Sequence, residues 1–229
     1  MKDVVLLHGA LGCKSHWNHI LPLLDSNYTY HNLDFPLHGG TDSDVQNLSL
    51  EVLTDYVKSV VKSKQLNEFI IVGYSMGGYI GLDMARHHFP GLKQLITLGT
   101  KLNWNEEIAE HEVSKLSIEN LTPIHGKLQQ EHGEKWQDVV FATHAIMRSI
   151  GQKPISKEDF SDIHIPVSLL LGEKDKMVTT DETISFSEHG STSRYEIIPA
   201  QPHLLERVDA SIIAGKINAL LNSQQKTEA

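Results

Sequence analysis

Six short apolar runs recur along the chain and are separated by stretches with helical spacing. They cover residues 4–7, 28–33, 69–72, 95–98, 167–171 and 195–198. Most of these runs are continuous rather than alternating, which is typical of strands buried on both faces of a parallel sheet. Strands that alternate with helices form right-handed crossovers. The sequence therefore predicts an α/β fold with a doubly wound, mostly parallel six-stranded sheet.

Three of the intervening segments have a clear helical pattern. Leu50, Leu53 and Val57 fall on one face of a helix that we expect to end near Lys64. Residues 79–89 are predicted to form a second helix, which Pro90 stops. Residues 204–221 are predicted to form a long amphipathic helix after the last strand.

One long segment interrupts the alternation of strands and helices. Residues 101–164 contain no convincing strand and only helix-like pieces, at 105–116 and 133–150. A connection of this length is too long for an ordinary loop. We therefore predict a helical cap at 101–164, inserted into a core formed by residues 1–100 and 165–229. The cap is expected to cover the carboxyl ends of the strands, where open α/β sheets bind ligands; the alternative is a set of structural helices away from the site.

Composition and charge exclude several classes of function. The 229 residues are 40% hydrophobic and carry a formal net charge of -9, which disfavours a nucleic-acid partner. The one cysteine, Cys13, precludes an intramolecular disulfide and fits a reducing compartment. No run approaches the ~18 apolar residues of a membrane span, and the first apolar run is too short for a signal peptide. We therefore expect a soluble cytoplasmic protein that acts on a small molecule.

The segment "IIVGYSMGGYIGLDMA" carries the first chemical signal. A buried strand ends at Gly73, a helix opens at Gly77, and Ser75 lies between them with no intervening loop. Such a turn strains the central backbone and leaves no room for side chains two residues before and after it, so glycine is needed there. The turn would expose the Ser75 hydroxyl at a helix N-terminus, where the dipole favours developing negative charge. An incidental serine in a glycine-rich turn is the alternative.

A serine nucleophile needs a base and a group that orients the base. Among the 14 histidines, His203 follows the last strand in "IIPAQPHLLERV", so its loop opens at the same sheet edge as Ser75. Histidines in the insertion could line a pocket, but nothing fixes them to the sheet; they are His111, His125, His132 and His144. His31, His87, His88 and His189 are interpreted as surface or helix-flank residues. No metal-ligand spacing is evident, so we predict no metal and no cofactor.

The orienting acid is sought after the fifth apolar run, in "PVSLLLGEKDKMV". Asp175 is favoured because it follows this strand at the expected edge and gives the order Ser, Asp, His along the chain. Glu173 and Asp181 are rivals, and Asp181 is expected to cap a helix. The oxyanion donors are predicted to be the backbone N–H groups of Met76, next to the nucleophile, and of Ala10, in the loop after the first strand.

The chain resembles the α/β-hydrolase superfamily over nearly its whole length. The matching pieces are His8-Gly9-Ala10, "DFPLHGGT" at 34–41, the Gly73–Gly78 turn, "LLLGEKD" and His203. The resemblance implies a catalytic triad of Ser75, His203 and Asp175 with an oxyanion hole at Ala10 and Met76, and places Asp34 and His38 in a structural loop beside the site. Leu37 and Thr41 depart from the usual glycine and serine of that loop. The small-esterase branch with a short helical cap is most similar, and no antiparallel edge pair is expected.

The resemblance implies a serine hydrolase that cleaves a small carboxylic ester or related acyl compound through an acyl-enzyme, but three alternatives remain open. The first alternative is a carbon–carbon hydrolase or lyase that resembles the menaquinone-pathway cyclohexadiene carboxylate synthase, which eliminates pyruvate. That synthase has an arginine at the position where this chain has Tyr79. A thioesterase or acyltransferase is the second, and a low-turnover ligand receptor is the third. Trp104, Trp136, Phe141 and Met147 are candidates either for the pocket or for the core of the cap itself.

Overall fold

The computed structural model describes residues 2–41 and 48–223. Its six strands form one sheet in the order β2-β1-β3-β4-β5-β6, and every neighbouring pair is parallel. The strands are β1 (Lys2–Leu7), β2 (Tyr28–Leu33), β3 (Phe69–Tyr74), β4 (Leu92–Leu98), β5 (Val167–Gly172) and β6 (Ser193–Ile198). The predicted doubly wound parallel sheet is confirmed.

Helices cover both faces of the sheet, and each face has its own apolar core. The helices are α1 (Leu50–Ser63), α2 (Met76–Arg86), α3 (Glu106–Lys115), α4 (His125–His132), α5 (Trp136–Gln152), α6 (Lys157–Ser161), α7 (Thr180–Ser187) and α8 (Ala210–Ser223). One core packs α1, α2 and α5 against the sheet, and the other packs α8 and the loop after β1 against the opposite face. None of the helices in the described ranges combines the length and apolar character needed to cross a bilayer.

The boundaries predicted for two helices are wrong for identifiable reasons. The second helix starts at Met76 rather than residue 79, because the N–H groups of Gly78 and Tyr79 donate to the Ser75 carbonyl and form its first turn. It ends at Arg86 rather than residue 89, before the left-handed His88 (φ 49°). The last helix starts at Ala210 rather than residue 204. The Asp209 carboxylate accepts hydrogen bonds from the N–H groups of Ser211 and Ile212, so this carboxylate caps a new helix.

The long insertion between β4 and β5 is helical throughout its regular parts. It contains α3, α4, α5 and α6, and residues 101–164 include no strand. Asn105 caps α3 by accepting from the N–H of Ile108. A small cluster of Leu121, Leu128, Trp136 and Val140 forms an apolar core within this segment. The division into a core and a cap at residues 101 and 164 stays a prediction, and we use "cap" for this segment.

Candidate active site

Ser75 is the single residue between β3 and α2. Its backbone has φ 50° and ψ -115°, outside the regions that residues with a side chain prefer. Holding such a conformation costs about 1–3 kcal/mol and persists only where the surroundings enforce it. Here the Ser75 N–H donates to the carbonyl of Leu98 (2.8 Å), and the hydroxyl of Thr100 donates to the Ser75 carbonyl (3.0 Å).

The flanking glycines are required by close backbone contacts. A Cβ atom on Gly73 would lie 2.4 Å from the nitrogen of Gly78, and one on Gly77 would lie 2.6 Å from the carbonyl oxygen of Leu7. Real Cβ atoms essentially never come so close to backbone atoms. The need for glycine predicted at residues 73 and 77 is confirmed.

His203 and Asp175 meet at the same edge of the sheet. The Nδ1 atom of His203 lies 2.6 Å from Oδ2 of Asp175, and the two side chains are 9% and 1% exposed. The other carboxylate oxygen accepts from the N–H groups of Met177 (2.8 Å) and Val178 (2.9 Å). Because Asp175 accepts from Nδ1–H, the tautomer that fits leaves Nε2 of His203 as a proton acceptor.

The rival carboxylates have other partners. Glu173 accepts a hydrogen bond from the N–H of Ala200 (2.8 Å) at an exposed position. Asp181 lies in the first turn of α7 and is not its cap; Thr179 caps that helix by accepting from the N–H of Glu182. Of the three candidates, Asp175 is the one that contacts His203.

Ser75 and His203 line one cavity, but they are not in hydrogen-bond contact. Within the described ranges, no hydrogen bond joins the Ser75 hydroxyl to the imidazole of His203. Catalytic hydrogen bonds are often long without substrate and shorten in the substrate complex. The complete triad therefore stays a prediction, with the Asp175–His203 half in place.

Two backbone N–H groups beside Ser75 are available as oxyanion donors. Ala10 and Met76 both line the cavity, and in the described part of the chain neither donates its N–H to a protein acceptor. The loop carrying Ala10 is held by His8, whose Nδ1–H donates to the Gly9 carbonyl (2.8 Å) and whose Nε2 accepts from the N–H of Phe35 (3.2 Å). This arrangement fits the predicted oxyanion hole, which stays a prediction.

Three buried histidines, His8, His38 and His132, pack beside the loop that carries Ala10. The ring centroids of His8 and His38 are 5.1 Å apart, and those of His38 and His132 are 5.8 Å apart. Burial, followed by the neighbouring imidazole, lowers the pKa of His8 well below its ordinary value; burial also lowers the pKa of His38 to about 4. His132, from the cap, donates from Nε2 to the Leu11 carbonyl (3.1 Å) and accepts from the Gly39 N–H. Cap and core are thus joined directly beside Ala10.

The cavity above Ser75 is small and mainly apolar. It has a volume of about 60 Å³. Its apolar walls from the cap are Trp104, Ile146, Met147 and Ile150. Of the four candidates named from sequence, Trp104 and Met147 line the cavity, Trp136 packs inside the cap, and Phe141 is 59% exposed.

Several site residues carry no local sequence signal. A Cβ atom on Gly99 would lie 3.2 Å from Oδ2 of Asp175 and 3.3 Å from Nδ1 of His203, so glycine leaves room for that pair. Lys101 and Glu112 also line the cavity, with Nζ 4.0 Å from the Glu112 carboxylate. None of the four histidines that the sequence analysis named in the cap lines the cavity. Of these four, His132 contacts the loop that carries Ala10, through its hydrogen bond to the Leu11 carbonyl. These contacts join residues distant in sequence.

The sequence model of the alpha/beta hydrolase family matches residues 4–209. The chain belongs to this family. Among curated proteins, it is 38% identical over 88 residues, 37% of its length, to a Haemophilus influenzae protein provisionally named 2-succinyl-6-hydroxy-2,4-cyclohexadiene-1-carboxylate synthase. It is 31% identical over 99 residues, 43% of its length, to the pimeloyl-[acyl-carrier protein] methyl ester esterase of Aromatoleum aromaticum. The matches span only 34% and 37% of those two relatives.

A solved member of the fold extends the similarity to nearly the whole chain. The enol-lactonase of Burkholderia xenovorans LB400 superposes with a TM-score of 0.79 at 15% identity, covering 96% of this chain and 91% of its own. At this identity the comparison establishes the fold. The family membership expected from the sequence is confirmed, and the hydrolase family includes relatives named as esterases.

Proposed function

We propose that this alpha/beta hydrolase cleaves small carboxylic esters or related acyl compounds, with Ser75 as the nucleophile. The observation that carries the proposal is the common cavity of Ser75, His203, Ala10 and Met76. It combines a strained serine, an imidazole held by a carboxylate and two backbone donors that have no acceptor among the described residues. Acyl transfer through a serine requires these components.

The proposed reaction has two steps. The Ser75 hydroxyl attacks the ester carbonyl while Nε2 of His203 takes its proton, and the N–H groups of Ala10 and Met76 bind the resulting oxyanion. Collapse of this intermediate breaks the ester bond, and the imidazolium gives its proton to the departing alcohol. A water molecule then attacks the acyl-enzyme by the same route and releases the acid, which restores Ser75.

Asp175 supports this cycle by orienting the imidazole of His203 and by stabilising the imidazolium that forms. Its Oδ2 atom holds Nδ1–H of His203, and its Oδ1 atom is held by two backbone N–H groups. A carboxylate so restrained keeps the tautomer with Nε2 free and stabilises the imidazolium that forms. Substrate binding must bring Nε2 and the Ser75 hydroxyl within hydrogen-bond reach, about 2.6–3.2 Å.

The cavity favours a short apolar acyl group. Its volume of about 60 Å³ holds only a few non-hydrogen atoms. The side chains of Trp104, Ile146 and Met147 form apolar walls, and their one hydrogen-bond donor, the indole N–H, already donates to the Lys101 carbonyl. Lys101 and Glu112 are the charged groups of the lining. We therefore place the apolar end of the substrate against the cap.

A lyase related to the cyclohexadiene carboxylate synthases is the second candidate, favoured by the Haemophilus influenzae relative. Tyr79, at the position of that enzyme's arginine, is buried, and its hydroxyl accepts from the N–H of Ile155 (2.8 Å). A substrate with carboxylates would have to use the ammonium of Lys101, which already faces the carboxylates of Glu112 and Glu182 at 4.0 and 3.9 Å. This charge balance favours the esterase.

The test is a panel of p-nitrophenyl esters from acetate to decanoate, assayed with the wild type, Ser75→Ala and Ser114→Ala. Ser114 is an exposed serine of the cap and serves as the matched control. The proposal predicts turnover that peaks at short chains, falls on the order of 10⁴-fold or more in Ser75→Ala and is unchanged in Ser114→Ala. Wild-type turnover in purified Ser75→Ala contradicts it. Pyruvate release from the synthase substrate without ester turnover would favour the lyase, and tight ligand binding without turnover would favour a receptor.

A further inference from the structure

A second group of reactive side chains lies where the cap meets the core, outside the cavity of Ser75. Cys13 and His16 belong to the loop after β1, and Glu131 belongs to α4 of the cap. Their Sγ, imidazole nitrogen and carboxylate oxygen atoms all lie within 4.8 Å of one another. Cys13 and His16 are 4% and 8% exposed, so this is a sheltered cluster rather than a solvated one.

The three ligand atoms are near the spacing that a zinc ion imposes. Zn–S bonds of about 2.3 Å and Zn–N or Zn–O bonds of about 2.0 Å in a tetrahedron separate ligand atoms by roughly 3.3–3.6 Å. Nε2 of His16 and Oε1 of Glu131 are 3.0 Å apart. Pairs at the outer limit of 4.8 Å would need to close by little more than about 1 Å.

The cluster also leaves one buried oxygen without a partner. The Oε2 atom of Glu131 is buried and has no hydrogen-bond partner among the described residues. A buried carboxylate oxygen without a donor is costly, and a cation would satisfy it. An adjoining cavity of about 430 Å³, lined by Cys13, Ser15 and Glu131, gives an ion and its water ligands access to the cluster.

We propose that Cys13, His16 and Glu131 form a zinc site that ties the cap to the core. The ion takes one sulfur, one nitrogen and one oxygen ligand, a donor set that suits Zn²⁺, and a water molecule or a further carboxylate completes the tetrahedron. Cys13 binds as the thiolate, and its proton passes to the solvent. His16 binds through Nε2, so the hydrogen bond from Nε2 to Glu131 is broken and the imidazole keeps its proton on Nδ1. The site is structural and independent of the esterase reaction proposed for Ser75.

Two neighbouring charges regulate the affinity of this site. Glu206 places Oε1 3.5 Å from Nε2 of His16 and is a candidate for the fourth ligand. Lys127 forms ion pairs with both Glu206 and Glu131, so its ammonium neutralises carboxylates that a metal cation would use. Its side chain is 47% exposed and can move into solvent when the ion binds. Lys127 is therefore a competitor of the metal.

The sequence analysis predicted no metal and did not reveal this site. Cys13 and His16 are three positions apart, but Glu131 lies 115 residues beyond His16 and Glu206 lies further still. The site joins the loop that carries Ala10 to α4, next to the His132–Leu11 hydrogen bond. Metal binding is expected to stabilise cap and core together.

Cobalt spectroscopy tests the proposal because Cys13 is the one cysteine of the chain. Metal-free, untagged full-length protein is titrated with Co²⁺, and the thiolate-to-cobalt charge-transfer absorption is recorded in the near ultraviolet. The proposal predicts a saturable band at one equivalent that Zn²⁺ abolishes by displacement. The band must be missing in Cys13→Ala and Cys13→Ser, and circular dichroism of both variants checks that they are folded. No band in the wild type overturns the proposal.

Zinc affinities, measured by competition with a chromogenic chelator, separate this site from adventitious binding by the other histidines. Glu131→Gln should weaken binding by at least the 10–100-fold typical of losing an outer-shell partner. Glu134→Gln, a matched change three residues away in the cap, should leave the affinity unchanged. Lys127→Met should tighten binding because it removes the competing ammonium. Equal affinity in the wild type, Cys13→Ser and Glu131→Gln, or weaker binding in Lys127→Met, contradicts the proposal.

Discussion

Nδ1 of His203 lies 2.6 Å from a carboxylate oxygen of Asp175, although 28 residues separate them in the chain. Both residues follow strands of the parallel sheet, β6 and β5, at the edge where β3 delivers Ser75. The fold thus brings the proposed base and its proposed orienting acid to the cavity that Ser75 lines. Gly99, in the loop after β4, leaves the space that this pair occupies.

Asp175→Asn is expected to lower the rate of ester hydrolysis sharply while leaving the fold intact. An amide oxygen can still accept from the N–H groups of Met177 and Val178, but the amide group favours the wrong tautomer of His203. The same change in a serine protease triad costs about 10⁴-fold in kcat. The measurement is kcat on the best p-nitrophenyl ester. Glu173→Gln, which changes the carboxylate bonded to Ala200, serves as the control and should retain activity; the reverse outcome would make Glu173 the acid.

Gly77→Ala should destabilise the protein, whereas Gly126→Ala should not. The new Cβ at residue 77 would lie 2.6–2.7 Å from the carbonyl oxygens of Leu7 and His8, but the one at residue 126 meets no atom within 4 Å. Forcing a methyl group into a packed site costs about 1–3 kcal/mol or more. Alanine in place of an exposed helical glycine adds up to ~1 kcal/mol. Urea unfolding of the two variants measures both effects, and equal stabilities would refute the steric account of the turn.

The free energy of unfolding should fall as the pH drops from about 7 towards 4. The unfolded chain protonates its histidines near their ordinary pKa of 6.5, whereas burial lowers the pKa of folded His38 to about 4. Between these values the unfolded state binds more protons, so acid favours unfolding. The contribution of neutral His38 to the free energy of unfolding is fully present above the unfolded pKa of 6.5. It is lost as the pH falls from 6.5 to about 4, by roughly 3 kcal/mol in total. His8 and His132, whose pKa values burial also lowers, act in the same direction.

Urea unfolding at pH 7 and pH 5 measures this dependence. His38→Gln should show a smaller loss of stability between the two values than the wild type. The exposed His19→Gln should show the same loss as the wild type. A wild-type protein equally stable at pH 7 and pH 5 would contradict the buried, neutral histidine cluster.

Met147→Ala should shift the preference towards longer acyl chains. Met147 lines the cavity from α5, so truncation lengthens the space above Ser75. One methylene group in an apolar pocket changes specificity by roughly 10-fold or more. Ratios of kcat/KM for hexanoate over acetate esters should rise in Met147→Ala and stay unchanged in Phe141→Ala, since Phe141 is exposed. Identical ratios in all three proteins would remove Met147 from the acyl-binding surface.

The strands and the strained turn were predictable because they depend on local patterns. Short apolar runs, most of them continuous, located all six strands, and the Gly73–Gly77 spacing located the strained turn at Ser75. The start of α8 was missed because the apolar spacing continues upstream of Asp209, whose side-chain hydrogen bonds set the boundary. The partners of His132 and Glu131 were not predictable because they depend on how the cap is placed on the core.

The lining of the cavity shows the same limit. Trp104 and Met147 face Ser75, whereas Phe141, equally apolar and on the same helix as Met147, points to solvent. Helical spacing indicates which residues share a face, but the orientation of that face is set by packing against α3 and the core beside the sheet. Lys101 and Glu112 enter the cavity for the same tertiary reason.

The most direct test of the central claim is covalent labelling with a fluorophosphonate, followed by mass spectrometry of the digested protein. The account predicts one equivalent of label on Ser75, fast labelling in the wild type and labelling slowed by orders of magnitude in His203→Ala. An unlabelled Ser75 in a folded protein that still hydrolyses esters would contradict it.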